Sequence, residues 1–213
     1  MLDLFNDEAP WQEPLAEGAV ILRRRARGQD AALLTEIHAV AAQNPFQHLI
    51  TPGGYRMSVA MTNCGEVGWF SDARGYRYSE EDQINGRKWP AMPLLFRQLA
   101  LDAAQEAGFA AFNPDACLIN RYEPGAKLSL HQDKDERDLR QPIVSVSLGL
   151  PAVFQFGGLK RGDAIQRVLL EHGDVVVWGG PSRLRYHGVL PLKAGMHPQV
   201  GAYRYNLTFR RAR

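Results

Sequence analysis

Two residues two positions apart can do metal chemistry in this chain: His131 and Asp133, within Leu128-Ser129-Leu130-His131-Gln132-Asp133-Lys134-Asp135-Glu136. In an extended segment, residues i and i+2 project to the same face, so an imidazole and a carboxylate lie side by side. Such a pair can hold two positions on one side of a metal ion. A third protein ligand has to come from elsewhere, and His187 in Arg185-Tyr186-His187-Gly188-Val189 is the best candidate. Two histidines and one carboxylate leave half of an octahedral Fe(II) open, which is what a non-haem iron oxygenase needs. Alone the pair carries little weight. The chain has 6 histidines in 213 residues, and a solvated acidic loop beside a histidine reads the same way.

A second constellation is Arg204-Tyr205-Asn206-Leu207-Thr208-Phe209-Arg210. Even positions are polar and twice cationic, while odd positions are apolar. A surface strand with a solvated face gives this alternation. The alternative is a slot for a small dianion, because the planar fork of arginine matches a carboxylate. Roughly 20 Å of strand would separate the two arginine backbones, so both side chains would have to lean inward to grip one short ligand. Leu118, Asn120 and Tyr122 alternate to one side in the same manner. The turn Glu123-Pro124-Gly125-Ala126 would bring them beside His131 and Asp133.

The elements that must position these residues follow from the pattern. A polar, proline-bearing arm is expected over 1–18, then a short strand at Val20-Ile21-Leu22. The basic run Arg23-Arg24-Arg25-Ala26-Arg27 reads as a solvated face. Asp30 can cap a helix over about 31–42, with Leu33, Ile37, Val40 and Ala41 as its buried stripe. Residues 51–90, rich in aromatics and glycine, look like a mobile β-rich flap outside the core. Pro93 opens a second helix over about 93–107, with Leu95, Leu99 and Ala103 on one stripe, and Gly108 closes it. From Cys117 the period changes to two, with strand-like runs at 117–123, 127–133, 143–149, 152–156, 166–171, 174–178, 184–189 and 203–210. Eight short strands after two helices predict an α+β fold: a jelly-roll (double-stranded β-helix) core with two supporting helices and an N-terminal flap. One domain over 1–213 is expected, with 1–110 as the N-terminal extension and 111–213 as the catalytic core.

Composition excludes several classes. The 45% hydrophobic content is ordinary for a globular protein, and no long apolar run suggests a membrane span. The start, Met1-Leu2-Asp3-Leu4-Phe5-Asn6-Asp7-Glu8, lacks the basic region of a secretory signal. Cys64 and Cys117 match no zinc spacing, and a reducing cytoplasm suits them. A net charge of +2 does not announce a nucleic-acid binder, so any such surface has to be local. Nothing demands more than a monomer.

Taken together, Asn120-Arg121-Tyr122, Leu128 to Asp135, His187 and the run Arg204 to Arg210 resemble the AlkB family of iron- and 2-oxoglutarate-dependent alkylation-repair dioxygenases. Thr51-Pro52-Gly53-Gly54-Tyr55 and Met57 to Gly65 match as well, and the likeness is densest over 114–193. The resemblance implies that His131, Asp133 and His187 hold Fe(II), with Arg210 completing the catalytic group. It implies that Leu118, Asn120, Tyr122, Ser145, Trp178, Arg204, Asn206 and Arg210 surround 2-oxoglutarate, with O₂ as the other cosubstrate. It places Thr51, Tyr55, Met61, Trp69, Tyr76, Tyr78, Ser129, Asp135 and Arg161 toward the nucleic acid or its damaged base. Lys127, Lys134, Lys160, Arg161 and Arg183 are candidates for phosphate contacts. The implied reaction is oxidative demethylation of 1-methyladenine and 3-methylcytosine in DNA, single-stranded by preference, and in RNA. Succinate, CO₂ and formaldehyde are the products. Trp69, Tyr76 and His131 would sandwich an extruded base. The loop 70–88 departs from the family pattern and is where substrate preference would differ. Two other readings compete: an oxygenase acting on RNA, a protein or a small metabolite, and a catalytically silent nucleic-acid-binding jelly roll. Stimulation of succinate release by methylated DNA separates the first, and iron in the purified protein separates the second.

Overall fold

The structure is a computed structural model that describes residues 9–213. In chain order its elements are β1 (Trp11–Ala16), β2 (Ala19–Arg23), α1 (Asp30–Gln43), β3 (Ala60–Gly65), β4 (Gly68–Asp72), β5 (Gly75–Ser79), α2 (Leu94–Glu106), β6 (Ala116–Tyr122) and β7 (Leu128–His131). There follow β8 (Ile143–Gly149), β9 (Ala152–Phe156), β10 (Gln166–Leu170), β11 (Val175–Trp178), β12 (His187–Val189) and β13 (Arg204–Arg210). Seven strands make one sheet in the order β1-β2-β11-β8-β13-β6-β3, four make a second in the order β10-β9-β12-β7, and β4 and β5 form a separate hairpin. This is the expected jelly roll with two helices.

The period-two pattern builds two apolar layers from one sheet. Cys117, Ile119, Val144, Val146, Val175, Val177, Tyr205, Leu207 and Phe209 point to one face and pack against Leu33, Ile37 and Val40 of α1 and Phe96, Leu99 and Ala103 of α2. Alternate residues Leu118, Tyr122, Ile143, Val176 and Trp178 point the other way and meet Phe154, Phe156, Val168, Leu170 and Val189 of the four-stranded sheet. Every residue of β13 is buried. The polar face of Arg204, Asn206, Thr208 and Arg210 is therefore not the solvated face of a surface strand; it lies between the sheets.

Several local expectations need correction. Residues 11–16 of the expected arm are a strand paired to β2, and β2 pairs with β11, so this segment belongs to the main sheet; residues 1–8 lie outside the described residues. The basic run is a solvated face only in part: Arg27 is exposed, but Arg23 pairs with Glu13 and with buried Asp174, and Arg25 with Glu106. Asp30 is the first helical residue and not a side-chain cap, because a 3₁₀ turn at Arg27–Gln29 leads straight into α1. Its Oδ1 accepts from the neighbouring Ala31 N–H at 2.9 Å, and its Oδ2 meets His172 Nε2 at 3.0 Å. Leu34 joins the buried stripe of α1, while Ala41 is only half-buried. On α2, Phe96 and Ala100 are buried and Leu95 packs at the margin. The segment 51–90 is not all flap, since β3 is buried and pairs with β6 inside the main sheet. Asn63 of β3 brackets the main chain of Trp69, accepting from its N–H and donating to its carbonyl at 3.0 Å each, so the base of the hairpin is fixed to the core.

Candidate active site

Pairing between β7 and β12 sets His131 directly opposite His187. Gly188 makes this close approach possible, because a Cβ there would lie 2.7 Å from the Leu128 carbonyl. The two imidazole centroids are 4.4 Å apart. Each ring is oriented the same way: Nδ1 meets the carbonyl two residues back, Ser129 for His131 at 2.8 Å and Arg185 for His187 at 3.0 Å. That leaves both Nε2 atoms as metal donors, with the ring tautomer fixed by the main chain. Asp133 lies past the end of β7, so strand alternation reaches only as far as His131 and does not itself place the carboxylate. It still arrives: Oδ1 is 3.6 Å from His131 Nε2 and Oδ2 is 3.8 Å from His187 Nε2. The ligand atoms of His131, Asp133 and His187 all fall within 4.8 Å of one another.

The protonation states suit a cation. Burial, helped by the neighbouring His131, pulls the His187 pKa down to about 4 against the pull of Asp133, so the ring is neutral at pH 7. Burial opposes the charge on Asp133, but Arg210, His187 and His131 more than offset it and hold the carboxyl well below its usual range. Arg210 donates to Asp133 Oδ2 through Nε at 2.8 Å and Nη2 at 2.6 Å.

The dianion slot is asymmetric. Arg210 is engaged by Asp133, so it does not act as a fork matched to Arg204. Arg204 is 1% exposed, and no carboxylate among the described residues pairs with it. Its Nη2 donates to Ser147 Oγ at 3.0 Å, its guanidinium lies 4.9 Å from the Tyr122 ring centroid, and its Nε and Nη1 have no partner among the described residues. Trp178 Nε1 is likewise a buried donor without an acceptor. Asn206 donates to Ser145 Oγ and to the Val146 carbonyl, and Asn120 bonds Asn206 Oδ1. Burial raises the Tyr122 phenol to about 12 although Arg204 opposes it, so the phenol keeps its proton. Native proteins rarely leave buried donors unmet. Two guanidinium nitrogens and an indole N–H on the interior of the sheets therefore fit an acidic ligand with several oxygens. Leu118, Asn120, Tyr122, Ser145, Trp178, Arg204, Asn206 and Arg210 all lie in this layer or open onto it.

Of the residues expected to face a substrate, Trp69, Tyr76 and Asp135 come together. The Trp69 and Tyr76 rings stack at 5.5 Å, and Trp69 Nε1 donates to Asp135 Oδ2 at 3.0 Å. Tyr78, from the same hairpin, turns its hydroxyl inward onto Glu136 Oε1 at 2.6 Å. Met61 is buried beneath the hairpin. Thr51 accepts from the Tyr55 N–H in a loop where Tyr55 is exposed. Ser129 acts through its carbonyl on His131. Lys127, Lys134, Lys160 and Arg161 are exposed, the last stacked 5.1 Å over Tyr186. Arg183 is not a phosphate contact: it is 2% exposed and donates to Glu136 Oε2, the Asp133 carbonyl and the Gln141 carbonyl. The sequence reading missed Glu136, a buried carboxylate between Arg183 and Arg210. Nothing in an acidic, lysine-flanked run distinguishes it from a solvated acid.

The family model of the 2OG-Fe(II) oxygenase superfamily matches residues 18–210. Over 212 residues the chain is 68% identical to the alpha-ketoglutarate-dependent dioxygenase AlkB of Salmonella typhimurium and 66% identical to that of Escherichia coli, covering 100% of this chain and 98% of each relative. The solved structure of OsALKBH1 superposes with a TM-score of 0.84 at 29% identity, covering 94% of this chain and 100% of that one. Metal triad, unmet arginine fork and chain-long identity agree, and the chain belongs to the 2OG-Fe(II) oxygenase superfamily, within it to the AlkB family of Fe(II)- and 2-oxoglutarate-dependent dioxygenases.

Proposed function

We propose that the protein removes methyl groups from alkylated bases of DNA, 1-methyladenine and 3-methylcytosine in particular, and acts on RNA as a second substrate. One observation carries this reading. The metal triad leads, within two residues, to a carboxylate (Asp135) bonded to a stacked aromatic pair, Trp69 on Tyr76. Flat π surfaces beside an anion suit a flat, positively charged methylated base.

Fe(II) and 2-oxoglutarate, when bound, supply the oxidising power: O₂ is consumed, 2-oxoglutarate becomes succinate and CO₂, and the N-methyl carbon is hydroxylated. The chain's own residues do the rest. His131, Asp133 and His187 would hold the metal on one side. Arg204 would take the distal carboxylate of the cosubstrate, with Tyr122 against its guanidinium. Trp178 Nε1 and the Asn120–Asn206 pair line the same layer. Arg210 keeps one oxygen of Asp133 occupied, which leaves the other for the metal. The base has to leave its stack to reach this depth, so single-stranded nucleic acid is favoured. The hydroxymethyl product then breaks down to formaldehyde and the restored base.

We place the reaction in the cytoplasm, in a monomer. Cys64 and Cys117 are free and buried, which suits a reducing compartment, and no helix among the described residues is long and apolar enough to cross a membrane. Mass spectrometry of oligonucleotides carrying 1-methyladenine or 3-methylcytosine, incubated with protein, Fe(II), ascorbate and 2-oxoglutarate, tests the proposal. Loss of one methylene per lesion with matching formaldehyde is expected. Succinate release with the oligonucleotides unchanged would refute it.

A further inference from the structure

Behind the metal triad lies a buried ionic cluster. Glu136 is 7% exposed and sits between two arginines. Arg183 donates to its Oε2 at 2.9 Å, and Arg210 Nε lies 3.5 Å from its Oε1. Both arginines also grip Asp133, at different atoms. Arg210 holds the side-chain Oδ2, and Arg183 Nη1 holds the main-chain carbonyl at 2.6 Å. The metal-ligating residue is thus fixed twice through cations that Glu136 shares.

Tyr78 completes the arrangement. Its hydroxyl donates to Glu136 Oε1 at 2.6 Å, the same oxygen that faces Arg210. Burial and the charge on Glu136 hold the phenol well above its usual pKa, with Arg210 opposing, so it remains a donor. With that oxygen occupied, Arg210 has its close contact with Asp133 and only a long one with Glu136. Without the hydroxyl, Glu136 becomes an under-bonded carboxylate 3.5 Å from the guanidinium and competes for it. In a buried cluster such competition is strong, because charge-assisted bonds there are the short and strong ones.

We propose that Glu136 and Tyr78 are positioning residues of the dioxygenase: Tyr78, from the β4–β5 hairpin, satisfies Glu136 so that Arg210 stays on Asp133 and the carboxylate presents its other oxygen to the metal. The hairpin that covers the substrate side is thereby tied to the geometry of the metal site by one hydroxyl.

The test uses full-length protein, Fe(II) and 2-oxoglutarate under anaerobic conditions, with no nucleic acid present, so its outcome is independent of the substrate proposed above. Tyr78→Phe and Glu136→Gln are titrated with 2-oxoglutarate through the visible charge-transfer absorption of the iron–2-oxo acid chelate. Tyr78→Phe should raise the apparent Kd by about tenfold, the equivalent of about 1.4 kcal/mol, and displace the band, at nearly unchanged Tm. Glu136→Gln removes the competing charge, so Arg210 stays on Asp133 and Kd should change less than in Tyr78→Phe, while Tm falls because buried Arg183 loses its carboxylate partner. A purely structural Tyr78 would lower Tm and leave affinity and band alone. Wild-type affinity and band position in Tyr78→Phe overturn the proposal, whatever Glu136→Gln does.

Discussion

Arg204→Lys isolates the cosubstrate site. In the wild-type protein, Nη2 of this buried arginine is held by Ser147, while Nε and Nη1 have no partner among the described residues. A carboxylate arriving at those two nitrogens forms paired charge-assisted bonds without first displacing a protein partner. Lysine keeps the charge but offers one nitrogen where the fork offers two. The loss is about one charge-assisted hydrogen bond, roughly 1.5–3 kcal/mol, which is about 10- to 150-fold in Kd. Thermal stabilisation by 2-oxoglutarate reports it. At a concentration of 100 times the wild-type Kd, ligand stabilises the fold by about 2.7 kcal/mol; a 30-fold weaker variant retains about 0.9 kcal/mol. For a protein of this size the difference lowers the ligand-induced Tm shift by roughly 4–7 °C. Affinity for a methylated oligonucleotide should stay within twofold, because Arg204 lies in the interior layer and not under the hairpin. An unchanged 2-oxoglutarate titration in Arg204→Lys, with iron loaded, would refute the assignment of the unmet fork.

His131→Ala and Asp133→Ala should both abolish formaldehyde release, yet differ in stability. His131 is half-exposed and hydrogen-bonded only to a main-chain carbonyl, so its removal should leave Tm nearly unchanged, whereas Asp133→Ala takes from buried Arg210 both of its short carboxylate bonds and leaves it only the long contact to Glu136, which should cost roughly 3 kcal/mol by denaturant titration; near-normal turnover in either sinks the metal assignment. Asp135→Asn should lower kcat/KM for cationic 1-methyladenine and 3-methylcytosine more than for neutral 1-methylguanine, by roughly 1.5–3 kcal/mol, and equal losses on both would mean that Asp135 only braces Trp69. The metal-free protein should lose stability as pH falls from 6.5 to about 4. His187 is held neutral by burial with a folded pKa of about 4 against 6.5 unfolded, so the unfolded chain takes up the proton first, worth roughly 3 kcal/mol in full. His187→Gln should flatten that slope, and an identical slope in the variant would contradict it.

Period-two alternation made much of this molecule legible. On β13 it separated Tyr205, Leu207 and Phe209 from Arg204, Asn206, Thr208 and Arg210, and the two sets do face different layers. His131 and His187 stood out as candidates by residue type and spacing, and it was the family resemblance of the runs around them that turned candidates into ligands. Asp133 was readable for a partly mistaken reason, since the strand stops before it and Arg210 and Arg183 bring it into place. What stayed hidden depends on distant partners. Glu136 and Arg183 look like solvated charges until Tyr78, 58 residues away, and Asp133 close around them. The sheet position of β3 was obscured because its neighbourhood is glycine-rich and aromatic, and that of β1 because it is secured by β2, whose partner β11 lies about 150 positions later.

The place of β13 in the sheet has a consequence for biosynthesis. It is the last described strand to leave the ribosome, yet it lies inside the seven-stranded sheet, flanked by β8 and β6. Until it inserts, β6 and β8 have no partner on that side, and the chain lacks Arg210 and Arg204 altogether. Such non-local pairing folds slowly and late. A nascent chain exposing His131, Asp133 and His187 would therefore be a loose chelator without its arginine partners or a cosubstrate pocket. One late strand thus completes both the cosubstrate slot and the arginine hold on Asp133, and it does so only by pairing along both of its edges.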